Sequence, residues 1–250
     1  MGWDIVRHSF AMLFRNFGNA LRISVGPILI ALVAGFLILG VFGSNLDALP
    51  QDIEQGQLPP EIAFAVLLIL LLFIFVSAWI AVAWHRFILL EDYPGLLPPL
   101  AGRPVWSYIG KTILLSLVLT LVMLPAGFVM GLIMAVLQDA GTGLLPTFIL
   151  GLALYASYMW LRFGIVLPAT AVSRPMGFGE AWRATAPYAT AILGTCVILI
   201  LINTGVSLVS AILPQPLAGL LSLATSWITI MLGISILTTL YGVIVERRTV

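Results

Sequence analysis

The residues with the clearest potential for chemistry form a short group around His85. His85 stands beside Arg86, and two carboxylates, Glu91 and Asp92, follow six and seven residues after the histidine. A histidine and carboxylates can bind a metal ion or exchange protons, but this spacing does not give a helical ligand face, and a metal site needs three or four converging ligands. We therefore interpret the group as charges at a membrane interface, beside a turn at residues 93–95. No metal ion and no cofactor are predicted.

Arg162 is a second candidate, because it lies about 23 Å along an apolar stretch that begins at Thr147. An arginine at the centre of a membrane-spanning helix raises the free energy of membrane insertion by about 2.5–3.5 kcal/mol. An arginine that is found there despite this cost is a candidate for a functional role. The alternative is that its side chain extends to the inner interface, as Arg86 would, or forms a structural ion pair. The carboxylates that could pair with it are Glu91, Asp92 and Glu180. We favour the structural alternative.

Polar residues are concentrated in the apolar stretch 189–213. Asn203, Ser207 and Ser210 share a helical face by the three-and-four spacing rule. Such a face can line a solute path, whereas in helix bundles it more often forms hydrogen bonds between helices. Pro125, inside another apolar stretch, would bend a helix as in some transporters or simply shape its packing. Both interpretations stay open for these residues.

The composition of the chain is that of a membrane protein. Of its 250 residues, 61% are hydrophobic and 8% are charged, and the mean hydropathy is +1.15. Soluble domains carry about 25% charged residues, so a chain this apolar requires lipid around most of its surface. The net charge of +1 argues against a nucleic-acid partner. The single cysteine, Cys196, excludes an internal disulfide, and the sequence contains no recognisable catalytic motif, so no enzymatic activity is predicted.

Six stretches have the length and apolarity of a membrane-spanning helix, which needs about 20 residues. They cover residues 23–42, 62–84, 112–137, 147–167, 189–213 and 217–243. The predicted fold class is an all-α polytopic membrane protein with six transmembrane helices in one domain, preceded by an interfacial amphipathic segment at residues 1–22. All eleven basic residues lie on one side of these stretches. Positive charge accumulates in cytoplasmic segments, so both termini are predicted to be cytoplasmic.

The chain also contains signs of an internal repeat of helix pairs. The sequence Trp-His-Arg-Phe at residues 84–87 closes the second stretch, and Trp-Leu-Arg-Phe at residues 160–163 closes the fourth. We interpret this similarity as part of a repeat of three units, each an amphipathic elbow helix followed by a helical hairpin. The alternative is that hydrophobic helices with basic inner ends resemble one another without any repeat.

Residues 162–185 read RFGIVLPATAVSRPMGFGEAWRAT. This stretch resembles a group of bacterial six-helix membrane proteins that includes the membrane domain of some glycerophosphodiester phosphodiesterases. The group has an arginine near a helix end, an apolar run closing on proline, and Glu-Ala leading into an amphipathic helix. The matching positions here are Arg162, Pro168, Glu180 and Ala181. The resemblance implies the same architecture in a bacterial inner membrane, and it implies no particular activity, because most members of the group have none assigned.

These features predict a non-enzymatic partner, scaffold or assembly component in the membrane. Its expected contacts are membrane lipids and another membrane protein or complex, without nucleic acid. The alternative is a transporter or channel for a small or lipidic solute, with Arg162 and Asn203 as the residues that carry it. A partner predicts stable co-purification with another protein, whereas a transporter predicts loss of transport when either residue is replaced by leucine.

Overall fold

The computed structural model describes residues 1–42, 59–95, 97–137 and 143–249. Within these ranges the regular structure is entirely helical, and six helices are long and apolar enough to cross a membrane. The predicted set of six long apolar helices in an all-α fold is therefore confirmed. Four carboxylates between the predicted spans lie outside the described residues, namely Asp47, Asp52, Glu54 and Asp139.

Four of the six long helices extend beyond the apolar stretches that predicted them, namely those that begin at Phe17, Pro60, Val105 and Gln215. In chain order the described helices are α1 (Gly2–Arg15), α2 (Phe17–Phe42), α3 (Pro60–Leu90), α4 (Val105–Leu137), α5 (Leu145–Gly164), α6 (Val166–Ala171), α7 (Phe178–Thr185), α8 (Ala189–Ile212) and α9 (Gln215–Ile244). A 3₁₀ turn at Ala186–Tyr188 connects α7 to α8. The extra turns lie mainly at the basic ends, because polar residues that end an apolar stretch can still continue the helical backbone bonds.

The fourth span is divided into α5 and α6 by Pro168. Proline has no N–H to bond the carbonyl of Gly164 four residues earlier, and its ring crowds that carbonyl. Accordingly α5 ends at Gly164 and α6 begins at Val166. All six residues of α6 are buried. The break therefore produces a short, fully buried helix, which ends at Ala171, four residues beyond the predicted end of this span at residue 167.

Most of the buried core lies at one end of the helix bundle. It contains the C-terminal parts of α3 and α9, the N-terminal parts of α2, α4 and α8, and all of α6. In α4 no residue after Leu115 is buried, and in α8 none after Cys196. We call this the packed end, together with α1 and α7, and the opposite one the open end. All eleven basic residues belong to segments of the packed end.

Helix α1 packs against both α8 and α9. Its buried residues are Ile5, Val6, Ser9 and Leu13. Ser9 Oγ lies 2.9 Å from the Thr239 hydroxyl in α9. On the α8 side, a Cβ atom added to Gly2 would lie 2.8 Å from the carbonyl oxygen of Ala191, so only glycine fits this approach. Ile5, Val6 and Leu13 of the predicted interfacial segment are thus buried against protein, whereas Trp3, Phe14 and Phe17 are exposed.

Separate helices precede the first and fifth spans but not the third. α1 and α7 occupy the positions predicted for elbow helices. Between α3 and α4, by contrast, the described residues 91–95 and 97–104 form no helix. This segment contains Pro94, Pro98, Pro99 and Pro104. Each proline removes a backbone donor. Residues 105–111, directly before the predicted third span, are helical but continuous with α4, and the three-unit repeat stays a prediction.

Candidate functional site

Arg162 has its side chain buried in the packed end, with 4% of the residue exposed. It donates hydrogen bonds from Nε to Thr185 Oγ1 at 2.7 Å, from Nη1 to Tyr158 Oη at 2.8 Å and from Nη2 to the Trp182 carbonyl at 2.8 Å. Its Cζ atom also lies 3.7 Å from the centre of the Trp182 ring. At that distance the face of the ring attracts a cation. These contacts join α5 to α7.

The sequence at the end of α7 explains why the Trp182 carbonyl is free to accept this bond. Pro187 has no backbone N–H, so the helix cannot continue regularly beyond α7. The N–H of Ala186 bonds the Arg183 carbonyl, three residues back, instead of the Trp182 carbonyl. The carbonyl end of a helix also carries partial negative charge, which attracts a cation. The guanidinium of Arg162 is thus stabilised by neutral groups.

An ion pair between Arg162 and a carboxylate is one of the alternatives that the sequence leaves open, and the structure does not form it among the described residues. In the part of the chain that the structure describes, Arg162 has no acidic partner within 4.0 Å. Glu180 instead accepts a hydrogen bond at 3.4 Å from the Gly177 N–H at the start of α7. Asp92 pairs with other arginines. Two hydroxyl groups and one carbonyl accept hydrogen bonds from the guanidinium, and the Trp182 ring lies against its face.

A second polar cluster connects α3 to the segment that precedes α4. Asp92 accepts hydrogen bonds from Arg86 Nε at 3.1 Å and from Arg103 Nη2 at 2.8 Å. Arg86 also donates from Nη1 to the carbonyl of Ala171, at the C-terminal end of α6, at 3.2 Å. One carboxylate therefore bridges two arginines and fixes the chain between α3 and α4. Arg86 and Arg162, which the predicted repeat makes equivalent, have different partners.

His85 lies in the interior of the packed end, so its interpretation as an interfacial charge is wrong. The residue is fully buried, with Nδ1 2.8 Å from Thr238 Oγ1 in α9 and Nε2 3.3 Å from Tyr108 Oη in α4. Thr238 donates its own proton to the Ile234 carbonyl at 2.8 Å. Thr238 must then accept from Nδ1–H. His85 thus connects α3 to α9 and α4.

The other predicted residues are distributed over both ends of the bundle. Pro168 is buried in α6, whereas Asn203 and Ser207 are exposed on α8 at the open end. Ser210 donates to the Val206 carbonyl of its own helix at 3.0 Å and makes no bond across helices. The structure therefore does not bring the predicted residues together in one site. Arg86 and Arg162 each belong to a separate cluster that fixes neighbouring segments.

The fold defines a helical protein with six helices suited to crossing a membrane. Among the described residues, no group of three or more His, Cys, Asp or Glu side chains could hold a metal ion. No family model, curated protein or solved structure matches this chain. The resemblance of residues 162–185 to bacterial six-helix membrane proteins therefore stays a prediction.

Proposed function

We propose that this chain is a multi-pass membrane protein that acts as a non-enzymatic partner or scaffold in a larger membrane assembly. The observation that carries the proposal is the exposure of Asn203 and Ser207 within an apolar surface of α8. The same half of α8 also exposes the apolar side chains of Leu201, Leu208 and Val209. An amide and a hydroxyl on an otherwise apolar surface are typical of helices that contact another helix in the membrane.

The position of Asn203 along α8 strengthens this argument. Asn203 lies about 21 Å from the first residue of α8 and about 14 Å from the last. The hydrocarbon core of a bilayer is about 30 Å thick, so the amide of an inserted α8 would lie inside it. An amide without a hydrogen-bonding partner in an apolar medium costs about 2–7 kcal/mol. Because the side chain is exposed on this chain, a second protein is the natural source of that partner.

The orientation that we propose follows from the charge distribution. The packed end holds all eleven basic residues, and such an excess is typical of the cytoplasmic side. The packed end would then lie at the inner face of a bacterial inner membrane, with both termini in the cytoplasm. The open end, with its exposed apolar helices, would lie in the outer half of the bilayer, where lipid and partner helices can cover it.

The positions of Arg162 and Asn203 favour a partner over a transporter. Arg162 is engaged by neutral groups that fix α7 to α5. Asn203 is exposed on α8 rather than buried between helices. A solute path through the protein would require polar groups that face an interior space. The two residues that carried the transport alternative therefore have positions that suit packing.

We expect Asn203→Leu to weaken the assembly about five- to thirtyfold. A polar contact between membrane helices is worth about 1–2 kcal/mol in model peptides, and each 1.4 kcal/mol is a factor of ten. The measurement is the fraction of chain in species heavier than one chain, after cross-linking in native membranes and native gel electrophoresis. Leu201→Ala, two residues away on another face of α8, is the matched control and should leave that fraction unchanged. Equal assembly of wild type and Asn203→Leu would contradict the proposal.

A further inference from the structure

A cavity of about 520 Å³ lies between α1, the C-terminal end of α3 and the C-terminal end of α9. Its cationic lining comes from Arg15 in α1 and from Arg248 after α9, and His8 of α1 lines it as well. Thr238 and Thr239 contribute to the wall on the α9 side. No carboxylate occurs among the described residues that line it. Residues more than 230 positions apart in the sequence thus form one basic cavity at the packed end.

The three basic side chains that line the cavity, Arg15, Arg248 and His8, differ in their partners within the fold. Arg248 donates a hydrogen bond from Nη2 to the Leu89 carbonyl at 2.9 Å. It also forms an ion pair with Glu246, whose Oε2 lies 2.7 Å from Arg248 Nε. Glu246 faces a neighbouring cavity. Arg15 forms no ion pair within the described part of the chain. Burial, and to a smaller extent the charge of Arg15, lowers the pKa of His8 below 6.5. Arg15 therefore contributes a positive charge to the cavity. No ion pair in the described part of the chain neutralises that charge.

The wall of the cavity continues into the polar interior of the fold. Thr238 Oγ1 is bonded to His85, and Thr239 Oγ1 lies 2.9 Å from Ser9 Oγ. Thr239 is five residues before the end of α9 at Ile244, which corresponds to about 8 Å along the helix. The cavity thus extends from the charged rim of the packed end to hydroxyl groups about one and a half turns inside it. The hydroxyl protons of Thr238 and Thr239 are used within the fold, so the guanidinium groups at the rim are the donors that suit an anion with several oxygen atoms.

We propose that this cavity binds a phosphate group, with Arg15 and Arg248 as its charged donors. Guanidinium groups match the oxygen geometry of phosphate and form short, charge-assisted hydrogen bonds with it. Basic pockets between helices at the cytoplasmic side of membrane proteins bind the headgroups of anionic lipids in this way. The phosphate belongs either to an anionic phospholipid or to a soluble phosphate monoester. The proposal is independent of the contact that we propose for α8.

The test uses the full chain, purified in a maltoside detergent and in buffer without phosphate. Phosphatidylglycerol added to the micelles and glycerol 3-phosphate added to the solution are the two probes, and the readout is the rise in thermal unfolding midpoint with probe concentration. We expect a saturable rise with one probe, which identifies the source of the phosphate. Arg15→Gln should weaken the apparent affinity about tenfold, because a charge-assisted hydrogen bond is lost. Arg22→Gln, on α2 and outside the cavity lining, is the control with the same change in charge and should bind as the wild type does.

A second variant separates the cavity from the general charge of the surface. Ala11 lines the cavity, so Ala11→Trp fills part of it while every charge remains. We expect this variant to lose most of the stabilisation by the probe. Three results would each overturn the proposal: no rise with either probe, equal weakening by Arg15→Gln and Arg22→Gln, or unchanged binding by a folded Ala11→Trp variant.

Discussion

Replacement of Arg162 by methionine is expected to lower the free energy of unfolding by about 2–4 kcal/mol. Hydrogen bonds to a charged group contribute about 1.5–3 kcal/mol each, and relaxation of the surrounding structure in the variant recovers part of the loss. Methionine keeps an unbranched side chain of similar reach but makes none of the three hydrogen bonds to Thr185, Tyr158 and Trp182. α7 would then lose the contact that fixes it to α5. The measurement is thermal or denaturant unfolding of the purified chain in detergent.

Two further variants identify the cause of that loss. Arg162→Lys keeps the charge, but a single ammonium group cannot form three planar hydrogen bonds and also stack on Trp182, so it should recover only part of the stability. Arg183→Met is the matched control, since Arg183 is exposed on the same helix α7, and it should change the free energy of unfolding by less than about 0.5 kcal/mol. Equal losses for Arg162→Met and Arg183→Met would mean that the buried cluster does not hold α7 in place.

Asp92→Asn is expected to lower the free energy of unfolding by about 1–3 kcal/mol. The amide retains the shape of the side chain but removes the charge that both Arg86 and Arg103 face. Two arginines would then lie close together without a counter-charge. The measurement is the unfolding midpoint at low and at high salt. The loss should be smaller at high salt, because Asp92 is partly exposed, with 27% of its side chain accessible, and salt screens the remaining repulsion.

The neighbouring residue provides the control for this prediction. Glu91 is exposed and adjacent in sequence, so Glu91→Gln makes the same chemical change without touching the bridge between the arginines. We expect Glu91→Gln to unfold as the wild type does at both salt concentrations. A loss of stability in Glu91→Gln as large as that in Asp92→Asn would assign the effect to net charge at the packed end rather than to the bridge.

The hydropathy of the chain predicted the long helices, because an apolar stretch of about 20 residues has few other stable solutions. It could not predict which segments meet. α1 contacts α8 and α9 from the opposite end of the sequence, and no local pattern encodes that pairing. Arg162 was correctly placed near a helix end, but its partners Trp182 and Thr185 belong to a helix whose docking depends on the complete fold.

His85 illustrates a different limit of sequence-based prediction. Its neighbour Arg86 suggested a position in a charged surface. Successive residues of a helix point about 100° apart, since 3.6 residues form a turn, and His85 therefore faces Thr238 and Tyr108 while Arg86 reaches Asp92. For Asn203 the pattern predicted a shared polar face with Ser207 but not its direction. Only the packed structure shows that this face is exposed.

The central claim, that the chain is a partner in a membrane assembly, is tested most directly by the composition of its complex in native membranes. The protein would be cross-linked in the membrane, solubilised in mild detergent and purified. The mass of the complex would then be measured, and its cross-linked peptides would be identified by mass spectrometry. We predict a species heavier than the 26.9 kDa chain, with a protein partner at fixed ratio and cross-links from the open end of α8. A single chain that retains only lipid would contradict the claim.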